Sequence, residues 1–229
     1  MHPIKKFNLN DGTFIRYTEQ GSGQPLLLLH TIRNRLEYSD QLLPYLTKKF
    51  KVYVIDLPGH GGSTINKKTN YDQEFLTDSI VSFIEDLNLK NLTIAGESIG
   101  SVLAATIAKK IPDRIKKIFC FNAYDYDKWF AQGVMRGNFI ATFLLFHVSL
   151  PLGLGVFFAK LESFPTLWMI FRGGVHKKSA ITSEYIKLLC TSTNKPGFIY
   201  HERNVFQNHK SWLNNGSLYQ GLKTPVNLI

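Results

Sequence analysis

The sequence predicts an α/β fold, a mostly parallel sheet flanked by helices and interrupted by a mainly helical insertion. Three observations carry that reading. Short apolar runs at 25–29, 52–55, 92–95 and 118–121 alternate with helix-like patterns, the rhythm of βαβ units. The run at 25–29 is almost unbroken in apolar residues, as a strand covered on both faces requires. After Asn122 the rhythm gives way to a long aromatic-rich stretch without strand alternation.

Taken in order, Thr13 to Glu19 is expected as an early strand, followed by a Gly21-Ser22-Gly23 turn and the strand at 25–29. Leu36, Leu42, Leu43 and Leu46 fall at roughly helical spacing, which predicts a helix over 35–46. The strand at 52–55 follows. Phe75, Leu76, Ile80, Phe83, Ile84 and Leu87 then form one apolar stripe, predicting a helix over 72–87 with Asn70 or Asp72 as its N-cap. The strand at 92–95 leads into an alanine-rich helix over 98–110 that stops before Pro112, and then into the strand at 118–121. Residues 124–215 form the helical insertion, and 216–229 return to the core with a strand beginning at Thr224.

The 229 residues suit a single domain, 1–229, with 1–123 as its core. A chain of this size buries roughly 70% of its unfolded surface. Hydrophobic residues at 44% and charged residues at 19% exclude a disordered chain. The net charge of +10 is scattered over pairs such as Lys48 and Lys49, Lys67 and Lys68, Lys109 and Lys110, Lys116 and Lys117, Lys177 and Lys178. With no basic stripe and no recognition motif, no nucleic-acid partner is expected. Two cysteines, one of them Cys120 inside an apolar run, and no signal-like stretch in the first twelve residues point to the reducing cytoplasm. From Gly137 to Ala159 there is no Asp, Glu, Lys or Arg over a length about sufficient to cross a bilayer. Pro151, Gly153 and Gly155 break that stretch, so it reads as two short helices joined at a bend and lining a pocket, with weak membrane contact as the alternative.

The chemistry-bearing motif is Gly96-Glu97-Ser98-Ile99-Gly100, placed where a strand runs into a helix. A serine at so sharp a turn is lifted above the sheet, and glycines two residues to either side let strand and helix approach. The helix N-terminus beneath it favours developing negative charge.

Three more segments stand in order around this motif: Leu26-Leu27-Leu28-Leu29-His30, Tyr53-Val54-Ile55-Asp56-Leu57-Pro58-Gly59-His60-Gly61-Gly62-Ser63, and Pro112-Asp113-Arg114-Ile115-Lys116-Lys117-Ile118. With them the chain resembles the α/β-hydrolase superfamily, of the serine-nucleophile type, over essentially its whole length. The resemblance implies the α/β-hydrolase fold with a helical cap, Ser98 as nucleophile, and an oxyanion hole from the backbone N–H groups of Ile99 and Ile32. With no metal-ligand cluster and no phosphate-cradling loop evident in the sequence, no cofactor and no metal are expected. Thr31 stands where the family commonly has the glycine of a His-Gly pair. Arg33, beside that loop, reads as a surface salt bridge, or else as a contact to a substrate carboxylate or acyl group.

The rest of a triad is harder to place. His30 and His60 belong to loop-shaping segments, and His147, His176, His201 and His209 lie in or after the helical stretch, none at the family's base position. Asp56 is expected to be structural, and Asp125 and Asp127 to be helix surface or a displaced acid. The resemblance puts the triad acid and histidine beyond Ile229, after a strand that begins only at Thr224, so the last core strands are expected to be absent and the chain to be part of a longer protein. The 229 residues by themselves are then expected to be inactive, since losing a triad member typically costs on the order of 10⁴ to 10⁶ in rate. Serine rather than aspartate at the elbow argues against haloalkane dehalogenases and epoxide hydrolases. The aromatic insertion suggests a small hydrophobic substrate with an ester, thioester or amide bond. A non-catalytic ligand-binding protein and a membrane-surface protein stand as the other readings.

Overall fold

The computed structural model describes residues 3–123, 143, 147–151, 153–173, 175–212 and 219–229. Seven strands form one sheet: β1 (Lys5–Asn8), β2 (Phe14–Gln20), β3 (Gln24–Leu29), β4 (Phe50–Ile55), β5 (Leu92–Glu97), β6 (Ile115–Phe121) and β7 (Val226–Leu228). Their order is β1-β2-β4-β3-β5-β6-β7. The hairpin β1–β2 joins β4 antiparallel, and every pair from β4 to β7 is parallel. Strand β1 was not anticipated, because its KKFN sequence is mostly polar and mostly exposed.

The buried strands divide by side-chain parity. Leu27, Leu29, Tyr53, Ile55, Leu92, Ile94, Ile118 and Cys120 face one cluster, packed beneath α2 (Gln73–Asp86) and α3 (Ile99–Lys110). Leu26, Leu28, Val52 and Val54 face another, with Leu36 and Leu43. Apolar residues on both parities explain the unbroken runs. Asp72 caps α2, its side chain accepting from the Phe75 N–H at 2.8 Å.

The expected helix over 35–46 is replaced by a 3₁₀ turn at Leu36–Ser39 and a single-turn helix, α1 (Leu43–Leu46). The Leu36 N–H is drawn to the carboxylate of Asp56 at 2.7 Å instead of starting a continuous helix. Leu42, counted in the apolar stripe, is 54% exposed.

Between β6 and β7 lie α4 (Leu154–Lys160), α5 (Phe164–Gly173), α6 (Ser183–Thr193) and α7 (Phe198–Gln207). Of the stretch from Gly137 to Ala159, residues 143, 147–151 and 153–159 are described; there Gly153 adopts φ +83° and begins α4. Among the described residues no single helix is long and apolar enough to cross a membrane, and α4 and α5 meet the length only as a pair bent by 83°. Val148, Ala159 and Phe206 pack together against Ile32, and Val205 and Trp212 join the main core, so the helices rest on the sheet.

Candidate active site

Ser98 sits between β5 and α3 with φ +54° and ψ −115°, a conformation that L-residues rarely adopt and that surrounding structure must impose. The glycines make it possible. A Cβ at Gly96 would overlap the Gly100 carbonyl, and one at Gly100 would stand 2.5 Å from Leu29 O and 3.0 Å from His30 O. Gly100 therefore brings the start of α3 against the end of β3, which joins the serine turn to the loop carrying Ile32. The Ser98 N–H donates to Phe121 O at 3.0 Å, and the Ser101 hydroxyl donates to Gly96 O at 2.7 Å, tying the turn to β5 and β6. Ser98 is half-buried. Ile99 is the first residue of α3, where backbone N–H groups have no acceptor within the helix.

The loop after β3 turns at Arg33, whose φ is +63°. Its guanidinium is no surface salt bridge, as the sequence suggested. The side chain is 11% exposed and ion-paired to Glu162 and to Glu202, the latter at 2.6 Å, with the Phe198 ring 4.7 Å away. Two carboxylates share one guanidinium; burial raises the Glu202 carboxyl against the opposing pull of Arg33. Charges in such a setting persist only when paired. The sequence held no local sign of this cluster, because its acids lie about 130 and 170 residues away along the chain.

Three of the histidines, His30, His60 and His201, cluster. His30 Nε2 accepts from the Leu57 N–H at 3.0 Å, which puts the proton on Nδ1, and Nδ1 donates to Thr31 O at 2.6 Å. Both nitrogens are thus spent on loop backbone. His60 Nδ1 donates to Pro58 O at 3.0 Å, and its ring contacts His30 and His201, with centroids 5.6 and 4.7 Å apart. His201, on α7, also meets Tyr71. Burial lowers all three, His201 to about 3, so they stand neutral. A cavity of about 20 Å³ among Arg33, His60, His201 and Glu202 has room for a single water. His176 is exposed, His147 Nδ1 lies 2.5 Å from Phe143 O, and the side chain of His209, like Asp125 and Asp127, lies outside the described residues.

Asp56 is fully buried and structural in role: it accepts from the N–H groups of Leu36 and Gly62 and pairs with Arg16. Arg16 also grips both oxygens of Glu37, and Arg35 grips Glu37 while reaching Leu188 O and Thr191 on α6. Burial alone would raise Glu37, yet the hydrogen bonds from Arg35 and Arg16 hold it down to about 2. Glu97, next to the serine, is raised by burial and accepts a hydrogen bond from Tyr38. A cleft of about 920 Å³, bounded by Arg16, Glu37, Leu43 and Tyr185, lies away from the serine turn. Groups of three or more His, Cys, Asp or Glu able to hold a metal are absent among the described residues.

A parallel sheet carrying a serine on a strained strand–helix turn is the architecture of an α/β hydrolase. The family described as the α/β hydrolase fold matches residues 24–144, just over half of the chain, and the chain belongs to that family. It is 32% identical over 118 residues to the (E)-2-((N-methylformamido)methylene)succinate hydrolase of Acinetobacter baylyi, an alignment covering 52% of this chain and 44% of that protein. The chain spans about half the length of the curated relatives it matches. A meta-cleavage product hydrolase from Pseudomonas fluorescens superposes with a TM-score of 0.76 at 18% identity, covering 98% of this chain and 78% of that one. An epoxide hydrolase does so with a TM-score of 0.82 at 19% identity, covering 99% and 81%. At such identities the superpositions show the fold alone.

Proposed function

We propose that this protein is a serine hydrolase in which Ser98 attacks the carbonyl of an ester, thioester or amide in a small hydrophobic substrate and forms an acyl-enzyme. The observation that carries the reading is the imposed backbone at Ser98, held at φ +54° by glycines that admit no Cβ. The cost of that conformation, of order 1–3 kcal/mol, is explained by exposing a nucleophile above the sheet. The N–H of Ile99 and that of Ile32 are the donors for the tetrahedral oxyanion, each worth about 10² to 10³ in rate. The helices α4 to α7 serve as the cap, and their aromatic side chains favour an apolar acyl or aromatic group.

His30 spends both ring nitrogens on backbone, and His60 and His201 are buried against each other, so none of the three is assigned as the base. Accordingly the 229 residues by themselves are expected to turn over esters poorly. The test uses protein expressed from the complete natural gene, treated with a fluorophosphonate and assayed on a p-nitrophenyl ester. Labelling should map to Ser98, and Ser98→Ala should remove labelling and lower kcat by about 10⁴ or more. Hydrolysis that survives Ser98→Ala would overturn the assignment. A folded protein that binds ligand equally well with Ser98 or alanine, and hydrolyses nothing, would make it a ligand-binding member of the fold.

A further inference from the structure

Lys195, in the short connection between α6 and α7, ends in a place that none of the catalytic machinery explains. Its ammonium group is enclosed by four backbone carbonyls of the loop after β4: Ser63 O at 2.7 Å, Gly59 O at 2.9 Å, Gly61 O at 3.0 Å and His60 O at 3.4 Å. An ammonium carries three protons, so three of these are hydrogen bonds and the fourth contact is charge to dipole. Four carbonyls aimed at one point are organised by the loop, not by the lysine. Gly59 and Gly61, at φ +77° and +45°, turn the chain so that successive carbonyls face inward. Neither position admits a side chain: a Cβ at Gly61 would enter the Asp56 carboxylate, and one at Gly59 the His201 ring. Rings of backbone carbonyls are how proteins replace the hydration shell of a potassium-sized cation.

We infer that the loop at 59–63 is a receptor for a small monovalent cation, potassium or ammonium in type, and that Lys195 supplies that cation from within the chain to latch the α6–α7 connection onto the sheet. Around the carbonyls, the charged groups facing the ammonium pull both ways. Asp56 lies behind the loop, bound to the Gly62 N–H, and attracts the charge; Arg16, Arg33 and Arg35 repel it, and His60 and His201 stand neutral beside it. Burial, the largest influence, lowers the Lys195 ammonium to about 8. The receptor therefore holds its tethered cation at neutral pH and loses it under alkaline conditions. Around the latch, Tyr200 donates to Thr69 O at 2.9 Å and Asn204 accepts from the Tyr71 N–H at 2.6 Å, so the connection is seated on the core by several bonds and charged by one.

The test is chemical replacement. Lys195→Gly empties the ring of carbonyls, and melting is followed in potassium chloride, ammonium chloride and tetramethylammonium chloride at matched ionic strength. The variant is expected to melt roughly 5 °C or more below the wild type in tetramethylammonium and to recover at least half of that in potassium or ammonium, saturably, as binding to the folded state demands. The wild type near pH ~6.5 should be indifferent to which salt is present. Should Lys195→Gly fail to fold, the wild type is compared at pH ~6.5 and ~9.5, where only the alkaline sample should gain stability from potassium over tetramethylammonium. Equal melting in all three salts, in the variant or in the alkaline wild type, would overturn the receptor and leave Lys195 a hydrogen-bonded strut.

Discussion

The half of the chain from β3 to β6 and the helical stretch from α4 to α7 are held by different physics. In the first, backbones approach to the limit of contact: Gly96 against Gly100, Gly100 against Leu29, with Leu27, Leu92, Ile94 and Ile118 fully buried around them. In the second, charge and polar groups add to the apolar seating of Val205, Phe206 and Trp212. Arg33 pairs with Glu162 and Glu202, Arg35 reaches Leu188 and Thr191, and Lys195 fills the 59–63 loop. Steric complementarity cannot be relaxed by solvent, whereas ionic attachment responds to pH and salt. The sterically packed element carries the strained serine.

The largest effect should come from breaking the steric half. Gly96→Val places side-chain carbons where the Gly100 carbonyl lies, and the serine turn cannot form around it. Soluble folded protein should be lost, or the unfolding free energy lowered by more than ~5 kcal/mol, as measured by circular dichroism in urea. A folded Gly96→Val protein with Ser98 still labelled by fluorophosphonate would show that the turn has more room than its contacts imply.

Removing the buried carboxylate behind the 59–63 loop should cost somewhat less. Asp56→Ala leaves Arg16 without its buried partner and frees the N–H groups of Leu36 and Gly62, for an expected loss of about 3–5 kcal/mol in urea denaturation. A loss below 1 kcal/mol would mean that Glu37 suffices for Arg16.

The smallest and most selective effect is acid loosening of the helices. Glu37 has a folded-state pKa of about 2 against an ordinary 4.5, so its contribution is complete above pH ~5 and fades as the pH falls toward 2. At pH ~4 the hydrogen-exchange protection factors, corrected for the intrinsic pH dependence of exchange, should therefore fall in α6 before β3, β4 and β5. Glu37→Gln should already show the lowered α6 protection factors at neutral pH and should flatten their pH dependence. Uniform acceleration across sheet and helices would mean that the two regions open together.

Much of the steric half was legible because its causes are local. Unbroken apolar runs announced β3 to β6, Asn70 or Asp72 marked the cap that Asp72 supplies, and Gly96-Glu97-Ser98-Ile99-Gly100 announced a turn that only glycine flanks permit. The helix expected over 35–46 failed for a reason outside its window: Asp56, twenty residues on, captures the Leu36 N–H. Arg33 was placed on the surface because a lone arginine beside a loop carries no local mark of burial.

By itself, then, the sequence determined the α/β class, the order of the sheet-forming runs and the position of the serine turn, since each depends on patterns within a dozen residues. Tertiary structure decided which charges meet. Arg33 finds Glu162 and Glu202, Arg16 finds Asp56 and Glu37, and Lys195 finds the carbonyls of 59–63 only after the chain has folded them together. Buried charge selects its partners by distance in space, and sequence separation says nothing of that distance.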